Sequence, residues 1–491
     1  MKFRLIALAS LACAGSAHAL TLAEIDTARG NGSLKEIVIF GASAQSPMVA
    51  AYMKELCAGN DYHEYWNDAS GKNHRAYSCK LPVAVGTYPA QTPVLVTKRD
   101  AGGSIYGVNH VAEGLAAQSM VVSAAACTTG PGTPAGLCAT TAAVVPHAGI
   151  SDVEPAQFGK TVTVNGASVV LNQPVGVDDS GNTWTVPQAA QLSALDVASM
   201  GQTLYGVAVT KDLRNALQTA QGLVAGQDDI ANMPSLGRAF VSGALSGFVR
   251  GGVAGFPSWA SVTGNAADSS KTVKICRRTD GSGTQVVSNL HFLNAGILIN
   301  TSLGMLAPIG SKFLTPAGTT VVEGAGTGDV ETCLNTVDGT YALGVISREK
   351  DPLINGKSYR YVKLDGQAPQ RDLARVGQYP LVYTSSMQWK KSGGPDAAMI
   401  SFLKAMRNTA VTPARIDGYV SAEAKGGLLA SPNRWDKPAD LCEAATDAQD
   451  KLFGSCVERV DFSDATYNPA ARLYGTVAYK TTSNAVLHQV K

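Results

Sequence analysis

One local pattern restricts the fold more than any other: a short apolar strand, a turn of small residues, then apolar residues at helical spacing. It occurs at Glu36-Ile37-Val38-Ile39-Phe40, followed by the turn Gly41 to Pro47 and a helical pattern from Met48 to Leu56. It returns at Pro93-Val94-Leu95-Val96-Thr97, with the turn Lys98 to Ser104 and a helical pattern from Ile105 to Ala117. It returns once more at Val273 and Ile275, where Asp280-Gly281-Ser282-Gly283-Thr284 precedes Val286, Val287, Leu290 and Leu293. Period-two alternation followed by i, i+3, i+4 spacing marks strand and then helix. Strands alternating with helices specify an α/β fold with mixed sheets. In such sheets each turn lies at a strand C-terminal end, with the unpaired N–H groups of the next helix facing outward.

The third turn carries the most chemistry. Gly281 and Gly283 let backbone approach a ligand, Ser282 and Thr284 add hydroxyl donors, and Arg278 offers a planar fork suited to phosphate or carboxylate. Taken alone, it is either a capped helix after a surface turn or an anion cradle at a helix N-terminus. Ala143 to Asp152 adds a fourth strand ending, Gly149-Ile150-Ser151-Asp152, which contributes a carboxylate.

Between these units lie insertions. Ala58 to Leu81 is a polar excursion bounded by Cys57 and Cys79, and residues 160 to 187 alternate around Asn165-Gly166 and Ser180-Gly181-Asn182 as inserted hairpins do. Leu204 to Val209 reads as a strand crossing into a second lobe, and Tyr341 to Ile346 as the strand returning. The expected organisation is a signal peptide over 1–19, lobe 1 over 20–204 and again over 346–460, lobe 2 over 205–345, and a C-terminal extension over 461–491.

The first residues have the layout of an export signal: Lys2 and Arg4, an apolar run from Leu5 to Ala14, and the small-x-small site Ala17-His18-Ala19. Cleavage there starts the mature chain at Leu20 and predicts a periplasmic or secreted protein. No stretch is long and apolar enough for a membrane helix. The net charge of +2 gives no basis for nucleic-acid binding. Beyond Cys13 there are eight cysteines, 57, 79, 127, 138, 276, 333, 442 and 456, and an even number in an exported chain predicts disulfides. Nearest-neighbour pairing suits Cys127 with Cys138, Cys442 with Cys456 and Cys57 with Cys79, which leaves Cys276 with Cys333. No Cys-x-x-Cys spacing or His/carboxylate cluster points to a metal or other cofactor.

Arg278-Thr279-Asp280-Gly281-Ser282-Gly283-Thr284 resembles the phosphate loop of the phosphate-binding proteins of ABC-type phosphate uptake systems, a branch of the type II periplasmic solute-binding fold. Gly149 to Asp152 is similar to that family's Gly-Ala-Ser-Asp, and Phe40 to Pro47 to its N-terminal turn. Gly344-Val345 and Gly377 to Leu381 resemble its return into the first lobe. The resemblance spans residues 36 to 405. It implies a two-lobed fold with a cleft between mixed sheets flanked by helices, and disulfide-stapled insertions. The implied ligand is inorganic phosphate or a similar oxyanion, captured by a monomer for delivery to an ABC permease. Arg278 clamps the anion in this scheme, Asp280, Gly281, Ser282, Gly283 and Thr284 surround it, and Asp152 accepts from its P–OH. Gln45, Ser46, Gly103 and Ser104 complete the set from the first lobe. Three departures stand out: Gln45-Ser46 replaces Thr-Phe, Asp100 or Ala101 replaces a ligand serine, and the first lobe carries insertions.

Two other functions use the same residues: a secreted surface or adhesion protein with a diverged phosphate-binding-like domain, and a secreted phosphatase-like relative. No Gly-x-Ser-x-Gly elbow and no spaced His/Asp cluster is present, so the expectation is a binding protein and not an enzyme.

Overall fold

The computed structural model describes residues 20–429, apart from 58–61, 70, 72, 131–133, 160, 165–166, 171–175, 178–182, 185–186, 294–307, 311–314, 376, 410–414 and 420–426. The export segment, Cys442, Cys456 and the C-terminal extension lie outside the described residues. Eight strands frame the site: β1 (Lys35–Gly41), β2 (Pro93–Arg99), β3 (Ala148–Ser151), β4 (Leu195–Val209), β5 (Val273–Arg278), β6 (Thr319–Gly324), β7 (Ala342–Ser347) and β8 (Val382–Lys390). Five helices accompany them: α1 (Ser46–Leu56), α2 (Ser104–Glu113), α3 (Gly283–Phe292), α4 (Thr327–Leu334) and α5 (Ala397–Thr409). The architecture is mixed α/β. The strands belong to one 14-stranded sheet in which the order β6-β5-β7-β4-β8-β3-β1-β2 runs without interruption.

β1 is parallel to β2 on one side and to β3 on the other, so three strand C-termini open on the same edge. Its alternation buries both faces. Ile37 and Ile39 join Val49 and Met53 of α1 with Phe402, Leu403 and Met406 of α5, while Val38 and Phe40 join Ile105 and Val108 of α2. A strand covered on both faces reads as the continuous apolar run seen here. Helix α2 lies unusually close to the sheet: a Cβ on Gly149 would fall 1.7 Å from the Gly107 carbonyl oxygen, and one on Gly107 2.7 Å from that of Phe40. Only the absence of both side chains permits that approach, and it fixes where the first turn of α2 stands. In the other half, β5 is parallel to β6 and β7, and Cys276–Cys333 ties β5 to α4.

The two halves share β4. Its first part, Leu195 to Leu204, is antiparallel to β8, and its last part, Tyr205 to Val209, is antiparallel to β7. The sequence places this strand only from Leu204. The earlier residues escape notice because the register shifts between Ser199 and Gln202, where Gly201 takes φ +68° and breaks the alternation.

The polar excursion after Cys57 also differs from the surface loop expected. His63–Trp66 and His74–Lys80 pair with each other, His74–Lys80 pairs with β2, and a Cys127–Thr129/Gly136–Cys138 hairpin continues the sheet outward. Cross-strand pairing overrides their weak alternation. Ala143 to Val145 is likewise split from β3: Thr141–Val144 pairs with Ala117–Met120 instead, and α2 stops at Glu113 before a left-handed Gly114. The inserted hairpins are present as Thr161–Val164 with Ala167–Val170, and Gly176–Val177 with Thr183–Trp184. Disulfides join Cys57 to Cys79 and Cys127 to Cys138. No helix of the described residues is long and apolar enough to cross a membrane.

Candidate functional site

The turns after β1, β2, β3 and β5 meet where the two halves of the sheet face each other. The N–H of Ile105, in the first turn of α2, donates to the Gly281 carbonyl across the junction at 3.0 Å. The N–H of Asp152 donates to Ser104 Oγ at 3.0 Å, so the end of β3 is held at the same helix terminus. A Cβ on Gly103 would lie 3.1 Å from Ser282 Cα, and one on Gly283 would lie 2.3 Å from Ser104 Oγ and 2.6 Å from Asp152 Cβ. The N-termini of α2 and α3 therefore meet face to face, and glycine at both turns is what allows it. Both ends carry partial positive charge, so an acceptor between them is favoured.

Arg278 supplies the full positive charge. Its residue is 2% exposed. Its guanidinium donates to the carbonyls of Ala325 at 2.7 Å and Gly324 at 3.3 Å, to Thr327 Oγ1 at 3.0 Å, and to Ser43 Oγ at 3.5 Å. Ser43 Oγ and Thr327 Oγ1 are themselves 3.0 Å apart, a second bridge between the halves. No carboxylate of the described residues lies within ion-pairing distance of Arg278. Burial lowers its hold on its proton, and Asp152, Asp329, Glu349 and Asp100 act in the opposite sense. A buried guanidinium satisfied by neutral acceptors keeps its charge available to an anion.

The second buried cation is already neutralised. Lys98 Nζ donates to Asp100 Oδ1 at 2.5 Å and to the carbonyls of Gly41 at 3.0 Å and Arg99 at 3.2 Å. Ser46 Oγ donates to the same Asp100 oxygen at 2.6 Å. Asp100 thus accepts from the first residue of α1 as well as from Lys98, instead of standing in the ligand set as the serine it replaces would. Asp280 pairs with Arg277, the neighbour of Arg278, and so braces the loop from behind. Gln45 is also turned elsewhere: its Nε2 donates to Thr203 Oγ1 and, at 2.8 Å, to Ser385 Oγ.

Asp152 faces Arg278 across the junction. It is 2% exposed, its Oδ1 has no partner among the described residues, and its Oδ2 accepts a long 3.5 Å contact from Thr284 Oγ1. Burial raises its pKa to about 6, against the opposing pull of Arg278 and Lys98. Ser282 Oγ, 1% exposed at the N-cap of α3, also lacks a partner and makes no cap bond. Buried polar groups in folded proteins are nearly always paired, so two orphans within one junction mark a place built for a hydrogen-bonding guest.

Of the residues read from sequence, Arg278, Gly281, Ser282, Gly283, Thr284, Asp152, Gly103 and Ser104 come together, with Ser46 joined through Asp100. Gln45 and Asp280 contact protein partners instead. Glu349 was not anticipated: it is 2% exposed, both its carboxylate oxygens are unpartnered among the described residues, and burial raises its pKa to about 7. In sequence it is one acid of the charged run Arg348-Glu349-Lys350-Asp351 after the returning strand, with no motif around it. No group of three metal-binding side chains occurs among the described residues.

No family model matches the sequence, and no curated protein does. Solved structures similar in fold include a phosphate ABC transporter substrate-binding protein with bound phosphate from Clostridium perfringens, at 13% identity and a TM-score of 0.42 over 80% of this chain and 99% of that one. An ABC-type phosphate transport receptor from Vibrio cholerae matches at 14% identity and a TM-score of 0.37 over 80% and 99%. PstS from Borrelia burgdorferi matches at 11% identity and a TM-score of 0.35 over 80% and 98%.

Proposed function

We propose that this protein binds a tetrahedral oxyanion, inorganic phosphate foremost, between the two halves of its sheet and releases it chemically unchanged. The supporting observation is the meeting of Arg278, buried and unpaired with any described carboxylate, with the N-termini of α2 and α3 and the orphaned Oδ1 of Asp152. An arginine fork and aligned N–H groups suit the negative oxygens, and a carboxylate that accepts from P–OH repels an anion lacking that proton. In this reading the protein is exported, acts as a monomer and delivers its ligand to an ABC permease. Lobe 1 consists of 20–204 and 346–460, and lobe 2 of 205–345. The turns touch directly in the conformation described, so uptake requires the halves to part, with β4 bending where its pairing passes from β8 to β7, at Leu204 and Tyr205.

Calorimetry with phosphate, sulfate and a phosphate monoester, with a parallel assay of ester hydrolysis, tests the proposal. Saturable phosphate heat that is lost in Arg278→Ala is the expected result, and turnover of the ester would overturn passive binding. The direct Ile105–Gly281 hydrogen bond and the occupation of Ser46 by Asp100 favour one other function, a surface protein that has kept the fold without a ligand. Absence of binding with every oxyanion would overturn the proposal and favour that alternative.

A further inference from the structure

Behind the junction lies a second set of polar atoms that the oxyanion reading does not use. Ser347 stands opposite Tyr205 in the β4–β7 register, and Arg348 N–H still donates to the Leu204 carbonyl at 2.8 Å. The chain therefore follows β4 for at least one residue past β7, and strand alternation puts Glu349 on the face that carries Ser347 and Tyr205. Tyr205 Oη, Ser347 Oγ and both Glu349 oxygens are buried and unpartnered among the described residues. Residues 427–429 run beside it: a Cβ on Gly427 would fall 2.4 Å from Glu349 N, Leu428 and Leu429 pair with β4, and Glu349 is 2% exposed. Glu349 cannot relieve its charge in solvent.

The groups around it are few. On its own segment are Arg348, which stacks on Tyr361 and pairs with Asp351, and Lys350. Asp152 faces it from the end of β3, Glu331 from α4, and Arg278 from β5. The phenols of Tyr205, Tyr359 and Tyr361 complete the surroundings. Of these charged groups, Asp152 and Arg278 belong to the oxyanion site.

We propose that Glu349 selects the charge state of the bound oxyanion by taking up one proton from solvent as the ligand enters, so that anion and proton are held and released together. The inference rests on the oxyanion reading above. Ionised Glu349 would draw on the charge of Arg278, the buried guanidinium that the ligand also needs. Protonated, Glu349 leaves that charge to the ligand, while Asp152 keeps its place as acceptor for the ligand's own P–OH. No bond to the ligand forms or breaks, and the proton resides on the Glu349 carboxyl. The upward displacement of Glu349 by burial brings this exchange into the neutral range.

The test compares wild type with Glu349→Gln by calorimetric titration of inorganic phosphate from pH 6 to pH 8; the ratio of the two proteins cancels the ligand's own ionisation. One linked proton with a pKa near 7 predicts that wild type weakens relative to E349Q by about tenfold between those limits. Parallel affinity profiles, with phosphate still bound, would overturn the role of Glu349 and leave the oxyanion reading intact. Absence of binding in wild type at every pH would overturn both. Glu349→Met is the second variant if E349Q does not fold. Independently of any variant, wild-type protein carrying 13C-labelled glutamate carboxyls should show one resonance titrating near pH 7 that moves to higher pH with phosphate; no glutamate titrating above pH 6 would refute the proposal.

Discussion

Asp152 offers the sharpest test of the electrostatics at the junction. Its pKa rises from 3.8 to about 6 on folding because burial outweighs the attraction of Arg278 and Lys98. A folded value above the unfolded one means that the stabilisation tied to its proton is complete below pH ~4 and is lost as pH rises through 6. A displacement of about two units corresponds to about 3 kcal/mol. Asp152→Asn is uncharged at every pH, so the ligand-free variant should exceed wild type by about 3 kcal/mol at pH 8 and show no advantage at pH 4. Urea unfolding followed by the fluorescence of the buried Trp259 and Trp389 reads the difference directly. An offset independent of pH, or a loss of stability at pH 8, would refute the reasoning. The same substitution should narrow the preference for phosphate over sulfate, since the variant no longer repels a fully ionised anion.

Other predictions follow from single contacts. Arg278→Lys should weaken phosphate by roughly a hundredfold, about 3 kcal/mol, because a point charge replaces a fork of charge-assisted donors; calorimetry measures it. Gly283→Ala would place a Cβ 2.3 Å from Ser104 Oγ, and the strain, about 1–3 kcal/mol, should show as faster hydrogen exchange at the Ile105 amide. Asp100→Asn strips the buried Lys98 of its counter-charge and should cost about 3–5 kcal/mol in chemical denaturation. Replacing both Cys276 and Cys333 by serine opens a loop of 57 residues and should lower stability by about 4 kcal/mol, measured against the oxidised parent.

The sequence revealed those parts of the site that are local. Strand, small-residue turn and helix follow one another within about twenty residues at Arg278, Ser104 and Ser46, and each turn's composition states its backbone geometry. Pairing between distant segments was opaque. β4 was recognised only from Leu204 because its earlier residues depend on β8 and on an irregularity at Gly201 that conceals the alternation. The strands between Cys57 and Cys79 are short and polar, and only the edge of β2 makes them strands. The fates of charged side chains were the least legible. Whether Asp280 faced the ligand or Arg277, and whether Asp100 stood in the ligand set or met Lys98, depends on side-chain directions that no spacing encodes. Glu349 had no motif around it, and its interest arises wholly from burial.

The strand common to both halves has a consequence for how the chain is made. Leu195 meets Lys390, and Ile150 meets Met387, so the seam at the centre of the sheet closes only when β8 has left the ribosome. Until then the edge of β3 and the first part of β4 carry unpaired N–H and C=O groups, whereas the strands β5, β6, β7 and the last part of β4 can already pair with one another. Contacts of such long sequence separation form slowly. The first half therefore stays open at the seam until β8 arrives, the last step in closing it.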